Sequence, residues 1–548
     1  MSGHTATTTA FFALGVCSHV FYFMRGNLYL ETPKLFALAV LSPTILFGSF
    51  SIFARYAIQD AFITAAVIYL SFMAGTFLSM GIYRAFFHRL RSVPGPFLAR
   101  LSNFWFVSKT SDGTAYLQVR KLHQQYGDIV RIGPKEVSIA DPEIVMVVHS
   151  VKSRCRKSDW YDQSHPMTTL QQMRDRKMHA RRRRVWDEAF TAKSLRAYEG
   201  NISKHADLLV SKLAEQKSKA VNASDWMMYY TWDVMGQLAF SKSFGNVAAG
   251  QPHHAIHGMH AAMGLMTWMS HLIWVIQITN KFLPMSVNPT LAFSNYCGSC
   301  VRERKKIEPE TPDVFHHLLK GEAFFDDPKA EDDLLTGDSR LVVVAGSDTT
   351  ATTLAFALYH LVQTPELVTR LREELAANSF IAPDQIEPYT IAHLAYLNAL
   401  INETLRLHPP VPSGVFRDTS PEGLRWGDHF VPGDVTIITP QYAIQTSEKA
   451  FTEPMSFVPE RWTTRPEMIL NKNAFFPFLT GTYGCVGKQV ALMELRTVLA
   501  KLVLAFEIGF AKGENGKRLL EESKDNFTVT LGPLELEFKP RAGIEMEV

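Results

Sequence analysis

Cys485 is the cysteine with the most informative surroundings, because glycines flank it on both sides and a helical pattern follows it. Gly481, Gly484 and Gly487 allow the backbone to approach a flat ligand closely. A thiolate at the start of a helix is also stabilised by the positive end of the helix dipole. The arrangement suits a sulfur ligand to a metal, although a buried cysteine in a tight turn remains the alternative for this segment alone.

A second pair of chemically suggestive residues is Glu403 and Arg406, which lie three residues apart before a Pro409-Pro410 stop. At this spacing they share one helical face, so they can pair and leave the guanidinium to hold Arg461 or backbone carbonyls. An isolated pair of this kind is usually a solvated surface pair. Its role therefore depends on the motifs found elsewhere in the chain.

Asp348 and Thr349 interrupt an otherwise apolar helical pattern over residues 341–361. A lone carboxylate in such a place is costly unless it is hydrogen-bonded or functional. The alternative is a helix-bending threonine beside a solvated aspartate. We interpret the pair as functional.

Helical patterns dominate the elements that must position these residues, and strand patterns are few and short. The predicted helices include residues 339–363, 365–377, 391–407 and 488–506. The predicted strands are residues 129–132, 137–140, 435–439, 527–531 and 534–538. The sequence therefore predicts a mainly α fold with a minor β-sheet.

The composition is that of a globular protein: 47% of the 548 residues are hydrophobic and 20% are charged, which excludes disordered and collagen-like classes. The 56 basic and 53 acidic residues nearly balance, so nothing indicates nucleic-acid binding. The five cysteines are scattered and odd in number, which favours a reducing compartment over a disulfide framework.

The N-terminal region carries the apolar excess. Residues 35–54 and 61–83 contain no charged side chain, and each is long enough to cross a bilayer. Residues 5–24 could also cross, or could form a signal-like region. Arg84, His88, Arg89 and Arg91 then form a positive cluster that should remain cytosolic. We therefore predict a membrane anchor of two or three spans over residues 1–92 and one catalytic domain over residues 93–548.

Four segments together resemble the cytochrome P450 family, and they occur in that family's order from about residue 94 to the C-terminus. The matching segments are the haem-binding loop (Phe478, Gly481, Cys485, Gly487), the Glu-x-x-Arg helix (Glu403, Arg406), the Arg461 segment (residues 457–462) and the oxygen-activating helix (residues 345–350). The resemblance implies a cytochrome P450 fold behind N-terminal transmembrane helices. It implies haem b with the Cys485 thiolate as axial ligand, Asp348 and Thr349 as the groups that pass protons during oxygen activation, and a structural ion network of Glu403, Arg406 and Arg461.

The same resemblance suggests which cations hold the haem propionates. His179 and Arg183 match the contacting positions on an early helix, and Arg417 is a further candidate. Only some of the four arginines at residues 181–184 can face inward, so the outward ones are candidates for docking an acidic reductase. Tyr483 stands where most family members have arginine or histidine, so the usual salt bridge there is lost or comes from another group.

A possible competing site is formed by His253, His257 and His260, which share one helical face at zinc-like spacing. No acid or cysteine accompanies them nearby in the sequence. Because the resemblance places this segment in the roof of the substrate pocket, we interpret the histidines as roof residues.

The function that these patterns indicate is a membrane monooxygenase that uses O2 and electrons from NADPH-cytochrome P450 reductase to oxidise a lipophilic small molecule. The anchor and the methionine-rich roof resemble fungal enzymes of secondary metabolism, such as terpenoid oxidases. We expect the endoplasmic reticulum membrane, with the catalytic domain in the cytosol. The alternatives are a haem-thiolate isomerase or dehydratase without a reductase and a non-catalytic haem-binding membrane protein; the intact Asp348-Thr349 pair favours oxygen activation.

Overall fold

A computed structural model describes residues 2–26, 28–320 and 323–543 of the chain. The described N-terminal part forms α1 (Ser2–Ser18), α2 (Thr32–Gly48) and α3 (Ile58–Ile82). Together with their flanking turns, these helices give candidate membrane spans over Thr5–Phe23, Tyr29–Phe53 and Ile58–Phe87. Residues 5–24, whose role the sequence left open, thus contain a helix long and apolar enough to cross a membrane.

Helices α1 and α3 pack closely through small residues. A Cβ atom added to Gly15 would lie 2.1 Å from the carbonyl oxygen of Phe72, so only glycine permits this approach. One turn further along, the hydroxyls of Ser18 and Thr76 lie 3.2 Å apart. Because later residues of α1 meet later residues of α3, the two helices run parallel and their C-terminal ends lie on the same side.

The rest of the described chain is mainly helical. Its α-helices in chain order are α4 (Phe97–Leu101), α5 (Phe104–Thr110), α6 (Ala115–Tyr126), α7 (Ile144–His149), α8 (Arg176–Ala189), α9 (Ala192–Ala214), α10 (Ala223–Phe240), α11 (Asn246–Ala249), α12 (His254–Met269), α13 (Ile273–Phe282), α14 (Pro289–Arg304), α15 (Val314–Leu319), α16 (Pro328–Gln363), α17 (Pro365–Ala377), α18 (Ala395–Leu407), α19 (Gln441–Gln445), α20 (Lys488–Ala505) and α21 (Lys517–Glu522). The strands are β1 (Ile129–Arg131), β2 (Glu136–Ile139), β3 (Arg156–Lys157), β4 (Val221–Asn222), β5 (Phe416–Asp418), β6 (Leu424–Trp426), β7 (His429–Val431), β8 (Thr436–Ile438), β9 (Phe506–Phe510), β10 (Lys524–Asn526), β11 (Thr528–Thr530) and β12 (Glu535–Pro540).

The main sheet has the strand order β1-β2-β8-β5-β3, and only the β2–β8 pair is parallel. A second sheet has the order β4-β12-β9, while β6–β7 and β10–β11 form two-stranded pairs. In the first sheet Lys157 on β3 lies opposite Arg417 on β5, which brings two cations together. The predicted fold class, mainly α with a minor β component, is confirmed.

The central helix of the domain is α16, which is longer than the sequence pattern predicted. Asp327 caps its N-terminus by accepting hydrogen bonds from the backbone N–H groups of Lys329 and Ala330, and Pro328 occupies its first turn. The helix therefore begins three turns before residue 339. It packs along α10, whose side chains are buried on nearly every face, so that the two helices form the middle of the core.

Candidate active site

The Cys485 loop is closed by its own backbone. The N–H of Cys485 donates to the carbonyl oxygen of Phe478 at 2.8 Å, and Gly481 adopts a positive φ of 66°. A Cβ atom at Gly481 would lie 2.2 Å from the carbonyl oxygen of His149, so the turn requires glycine. The loop leads through Gly487, the N-cap residue, directly into α20.

The Cys485 sulfur faces an internal cavity, which accounts for its exposed surface although protein encloses it. Burial raises the pKa of the Cys485 thiol, while hydrogen bonds from the Gly487 and Lys488 N–H groups and the charge of Arg183 act in the opposite direction. These donors at the start of a helix stabilise a thiolate, and a bound cation would supply the remaining stabilisation. The arrangement fits a metal-ligating sulfur.

The cavity has a volume of about 420 Å³ and separates the cysteine loop from α16. Phe478, Cys485 and Gly487 line one side, and Ala345 and Thr349 line the other. α16 is a continuous α-helix here, without a widened turn at residue 346. The Thr349 hydroxyl donates to the carbonyl of Ala345 at 2.8 Å, which holds it at the cavity wall.

Asp348 is completely buried and does not itself line the cavity. Its Oδ2 accepts a hydrogen bond from the Thr528 hydroxyl at 2.9 Å, and its Oδ1 has no hydrogen-bond partner among the described residues. Burial raises the pKa of Asp348 to about 7, and the Thr528 hydrogen bond partly offsets this. Asp348 can therefore exchange a proton near neutral pH.

His260 is a neighbour of Asp348 that the sequence did not connect to the site. Its Nε2 lies 4.0 Å from Asp348 Oδ1, and neither atom has a hydrogen-bond partner in the described structure. The His260 side chain keeps 31% of its surface exposed. Burial lowers its pKa to about 4. No three metal-ligating side chains converge anywhere in the described residues, including the histidines of α12.

A group of basic side chains lies at one end of the cavity: Lys157, His179, Arg183 and Arg417. Burial, then repulsion from the other three, lowers the pKa of His179 to about 3. Burial and repulsion from Arg417 and Arg183 likewise lower the pKa of Lys157 well below its usual range. His179 Nδ1 and Arg417 Nε are buried without a hydrogen-bond partner among the described residues. Arg183 pairs with Asp187 at 2.7 Å, whereas Lys157 and Arg417 have no ion-pair partner among the described residues.

Lys157 is a member of this cluster that sequence reasoning missed. Its ammonium donates only to the backbone carbonyls of Leu170 and Gln171. The residue sits on a strand of two residues, and no local pattern distinguishes it. Pairing of β3 with β5 beside Arg417 is what brings it to the cavity.

Tyr483 packs against these cations through its ring. The Lys157 ammonium lies 4.7 Å and the Arg417 guanidinium 4.9 Å from the ring centroid. His179 meets the ring edge at 4.8 Å. The aromatic face thus fixes two cations by cation–π attraction at the position where the family usually has a charged side chain. Lys157 adds a cation that the tyrosine itself cannot supply.

Glu403 is the centre of a fully buried ion network. It accepts hydrogen bonds from Arg406 Nε and NH2, both at 2.8 Å, and from Arg461 Nε at 2.9 Å. Trp462 Nε1 and the Val458 N–H complete its shell at 3.0 and 2.9 Å. Arg406 also donates to three backbone carbonyls, those of Gln445, Pro454 and Ser456. Glu403, and not Arg406, therefore holds Arg461, and the network ties α18 to the segment before the cysteine loop.

The four arginines of α8, residues 181–184, divide between the protein interior and the surface. Arg183 donates to the carbonyl of Gly484 at 2.7 Å, beside the cysteine. Arg182 is buried and pairs with Asp338 on α16, a partner that the sequence did not suggest. Arg181 and Arg184 are exposed. Arg182 and Arg183 therefore face the interior, Arg181 stacks on the ring of Phe324, and Arg184 remains available at the surface.

These features fit a flat dianionic cofactor with a central metal. The cysteine sulfur supplies a soft ligand, and the cavity is a slot between α16 and the cysteine loop. The unpaired Lys157 and Arg417 and the orphaned His179 and Arg417 nitrogens mark where two carboxylates would bind. The fold and site are suited to a haem-thiolate cofactor.

The comparisons with known proteins agree with this class. The family described as Cytochrome P450 matches residues 93–539. The chain belongs to the cytochrome P450 family, which consists of haem-dependent monooxygenases. The predictions of the family, the fold and the enzyme class are confirmed.

Similar proteins come from several fungi. Cytochrome P450 monooxygenase FCK2 of Fusarium pseudograminearum is 37% identical over 98% of both chains. Cytochrome P450 monooxygenase notG' of Aspergillus versicolor is 39% identical over 94% of both chains, and tryprostatin B 6-hydroxylase of Aspergillus fumigatus is 34% identical over 94% of this chain and 93% of that one. The crystal structure of the cytochrome P450DA haem domain matches with a TM-score of 0.64 at 19% identity, covering 78% of this chain and 92% of that chain, which supports the fold.

Proposed function

We propose that this chain is a membrane-anchored monooxygenase of fungal secondary metabolism that oxidises a lipophilic small molecule. The observation that carries the proposal is the cavity between Cys485 and Thr349 of α16, which Lys157 and Arg417 line without an ion-pair partner among the described residues. The similarity to tryprostatin B 6-hydroxylase and to other fungal monooxygenases supports oxidation of a secondary metabolite.

Haem b is the cofactor that this site suits, with the Cys485 thiolate as its axial ligand. Bound there, haem would supply the electron transfer and oxygen activation that the protein side chains cannot perform. Arg183, Arg417, His179 and Lys157 would hold the propionates, while Phe478, Gly481 and Gly487 shape the loop around the sulfur. Tyr483 would orient Lys157 and Arg417 by its ring face.

Thr349 and Asp348 would control the supply of protons to the cavity. The Thr349 hydroxyl is held at the wall by Ala345, and Asp348, with a pKa raised to about 7, directly precedes it on α16. His260, partly exposed and facing Asp348 Oδ1, is suitably placed to replenish the Asp348 proton from the surface. This order, from the surface through a carboxyl to a hydroxyl, supports oxygen activation over isomerisation or dehydration.

The membrane would be the endoplasmic reticulum, with the catalytic domain on the cytosolic side. The parallel packing of α1 and α3 puts both C-terminal ends on one side, where Arg25 and the cluster of Arg84, Arg89 and Arg91 follow. Helix α2 packs against α13, with the rings of Phe36 and Phe282 5.9 Å apart. The anchor thereby lies against the roof of the catalytic domain.

The roof supports uptake of a lipophilic substrate from the membrane. Met266, Met269 and Ile276 line the cavity from α12 and α13. The same region exposes apolar side chains outward, namely Trp268, Phe282, Leu283, Met285 and Val287. An apolar wall with lipid on one side and the cavity on the other favours entry through this part of the molecule.

Electrons would come from NADPH through a separate cytochrome P450 reductase. Arg181 and Arg184 on the outer face of α8 offer positive charge to an acidic partner, close in sequence to Arg183 beside the cysteine loop.

The proposal is tested by co-expressing the full chain with a reductase, supplying a panel of lipophilic fungal metabolites under isotopically heavy O2, and analysing products by mass spectrometry. We expect an NADPH-dependent product that contains one heavy oxygen atom. A product that forms without NADPH and contains no heavy oxygen would contradict oxygenation and favour the isomerase or dehydratase alternative.

A further inference from the structure

Arg340 is a cavity-lining cation that the proposed haem site does not use. It lies on α16 nine residues before Thr349, a separation of about 14 Å along the helix axis at about 1.5 Å per residue. Its neighbours come from the loop before α8 and from α14, and none belongs to the cysteine loop. It therefore lies away from the cysteine loop and from the Thr349 end of the cavity.

The hydrogen bonds of Arg340 are few and all go to neutral groups. Nη2 donates to the Ser164 hydroxyl at 2.8 Å and to Gln172 Oε1 at 3.2 Å, while Nη1 reaches the Ser294 hydroxyl only at 3.4 Å. Ser164 also accepts from Gln172 Nε2 at 3.1 Å, so these groups are already partly satisfied. A guanidinium has five N–H donors, and three of them account for these bonds.

No described carboxylate forms an ion pair with Arg340. Burial lowers the pKa of the Arg340 guanidinium, and the nearby Cys297 thiol partly opposes this decrease. The nearby acid on α16, Asp338, is already paired with Arg182. An enclosed guanidinium without an anion is costly. The buried Arg304 of the same domain, by contrast, pairs with Asp313 at 2.6 Å.

We infer that Arg340 binds the substrate, and that the substrate is an otherwise lipophilic molecule carrying an oxygen acceptor, either a carboxylate or an amide carbonyl, at the end remote from the oxidised carbon. This inference rests on the proposed monooxygenase function and specifies its substrate class. The unused N–H groups of Arg340 supply the donors, and the neutral Ser164 and Gln172 side chains hold the guanidinium in place. The apolar walls between Arg340 and Thr349 would contact the rest of the molecule.

The test uses the haem-loaded full-length protein and the change in the haem absorbance spectrum when a ligand enters the cavity. The probes are dodecanoic acid, dodecanamide and dodecane, which differ only in the terminal group. We expect wild type to bind the acid or the amide at least tenfold more tightly than dodecane, and Arg340→Gln to abolish the difference. Preference for the acid alone identifies a carboxylate, and equal preference for acid and amide identifies a carbonyl.

Two further variants separate binding from a structural role. Arg340→Lys keeps the charge and should retain part of the preference for the acid, whereas Ser294→Ala removes only the 3.4 Å contact and should retain all of it. Equal affinity for the three probes in wild type, or no response to the acid and the amide, would overturn the inference. A normal thiolate-type carbon monoxide spectrum in the same samples shows that such a failure concerns Arg340 and leaves the proposed haem-thiolate function standing.

Discussion

The substitution Glu403→Gln tests whether the buried ion network stabilises the domain. It removes the single negative charge that serves two guanidinium groups, and all three side chains have no exposed surface. Breaking a buried charge pair by removing one partner costs about 3–5 kcal/mol, because the remaining charge is uncompensated. For the 93–539 domain, an unfolding entropy of about 2.1 cal/mol/K per residue converts this loss into a Tm decrease of about 3–5 °C.

The matched control is Glu460→Gln, which removes a carboxylate that pairs with Arg370 near the same segment. The Arg370 and Glu460 side chains are 45% and 19% exposed, so the expected cost is under about 1 kcal/mol. Both variants are measured by thermal unfolding at one scan rate, with haem content recorded in parallel. A Tm for Glu403→Gln equal to that of the control would refute the reasoning about uncompensated buried charge.

Three further predictions concern the cavity. Arg417→Gln should weaken haem retention about tenfold or more, because it removes a charge-assisted hydrogen bond. It should also raise the Tm of the haem-free protein by relieving repulsion with Lys157; a lower haem-free Tm would contradict this repulsion. Thr349→Ala should keep consuming NADPH but form less product and more peroxide, measured in one assay, and unchanged coupling would exclude its role in proton supply. Because burial raises the pKa of Asp348 above its unfolded value to about 7, the native state binds the extra proton between about pH 4 and 7 and loses stability as pH rises through that window. The Tm of Asp348→Asn should therefore fall less between pH 5 and pH 8 than the Tm of wild type does. Equal decreases of Tm in the two proteins would argue against the raised pKa.

The sequence predicted the fold where local signals were strong. Residues 365–377 form a helix with the predicted bounds, since Pro365 begins it and charged residues cover its outer face. Helix α18 begins at Ala395 and not at residue 391, because residues 391–394 form a turn. The early start of α16 was predictable from its Asp327-Pro328 capping signal, which lies outside the apolar run.

The site depended more on tertiary contacts. Phe478, Gly481, Cys485 and Gly487 carry a local motif, so the loop could be recognised from the sequence. Lys157 reaches the cavity through a two-residue strand paired with β5, and His260 faces Asp348 across two helices that are distant in sequence. Such contacts arise from the packing of elements, and no short-range pattern encodes them.

The central claim, that Cys485 ligates the haem iron, is tested most directly by the absorbance spectrum of the reduced, carbon monoxide-bound protein. Wild type and Cys155→Ala, which removes another enclosed thiol, should both give the Soret band of thiolate-ligated haem. Cys485→Ala should lose this band while the expressed chain remains detectable. A thiolate-type band that persists in Cys485→Ala would contradict the account.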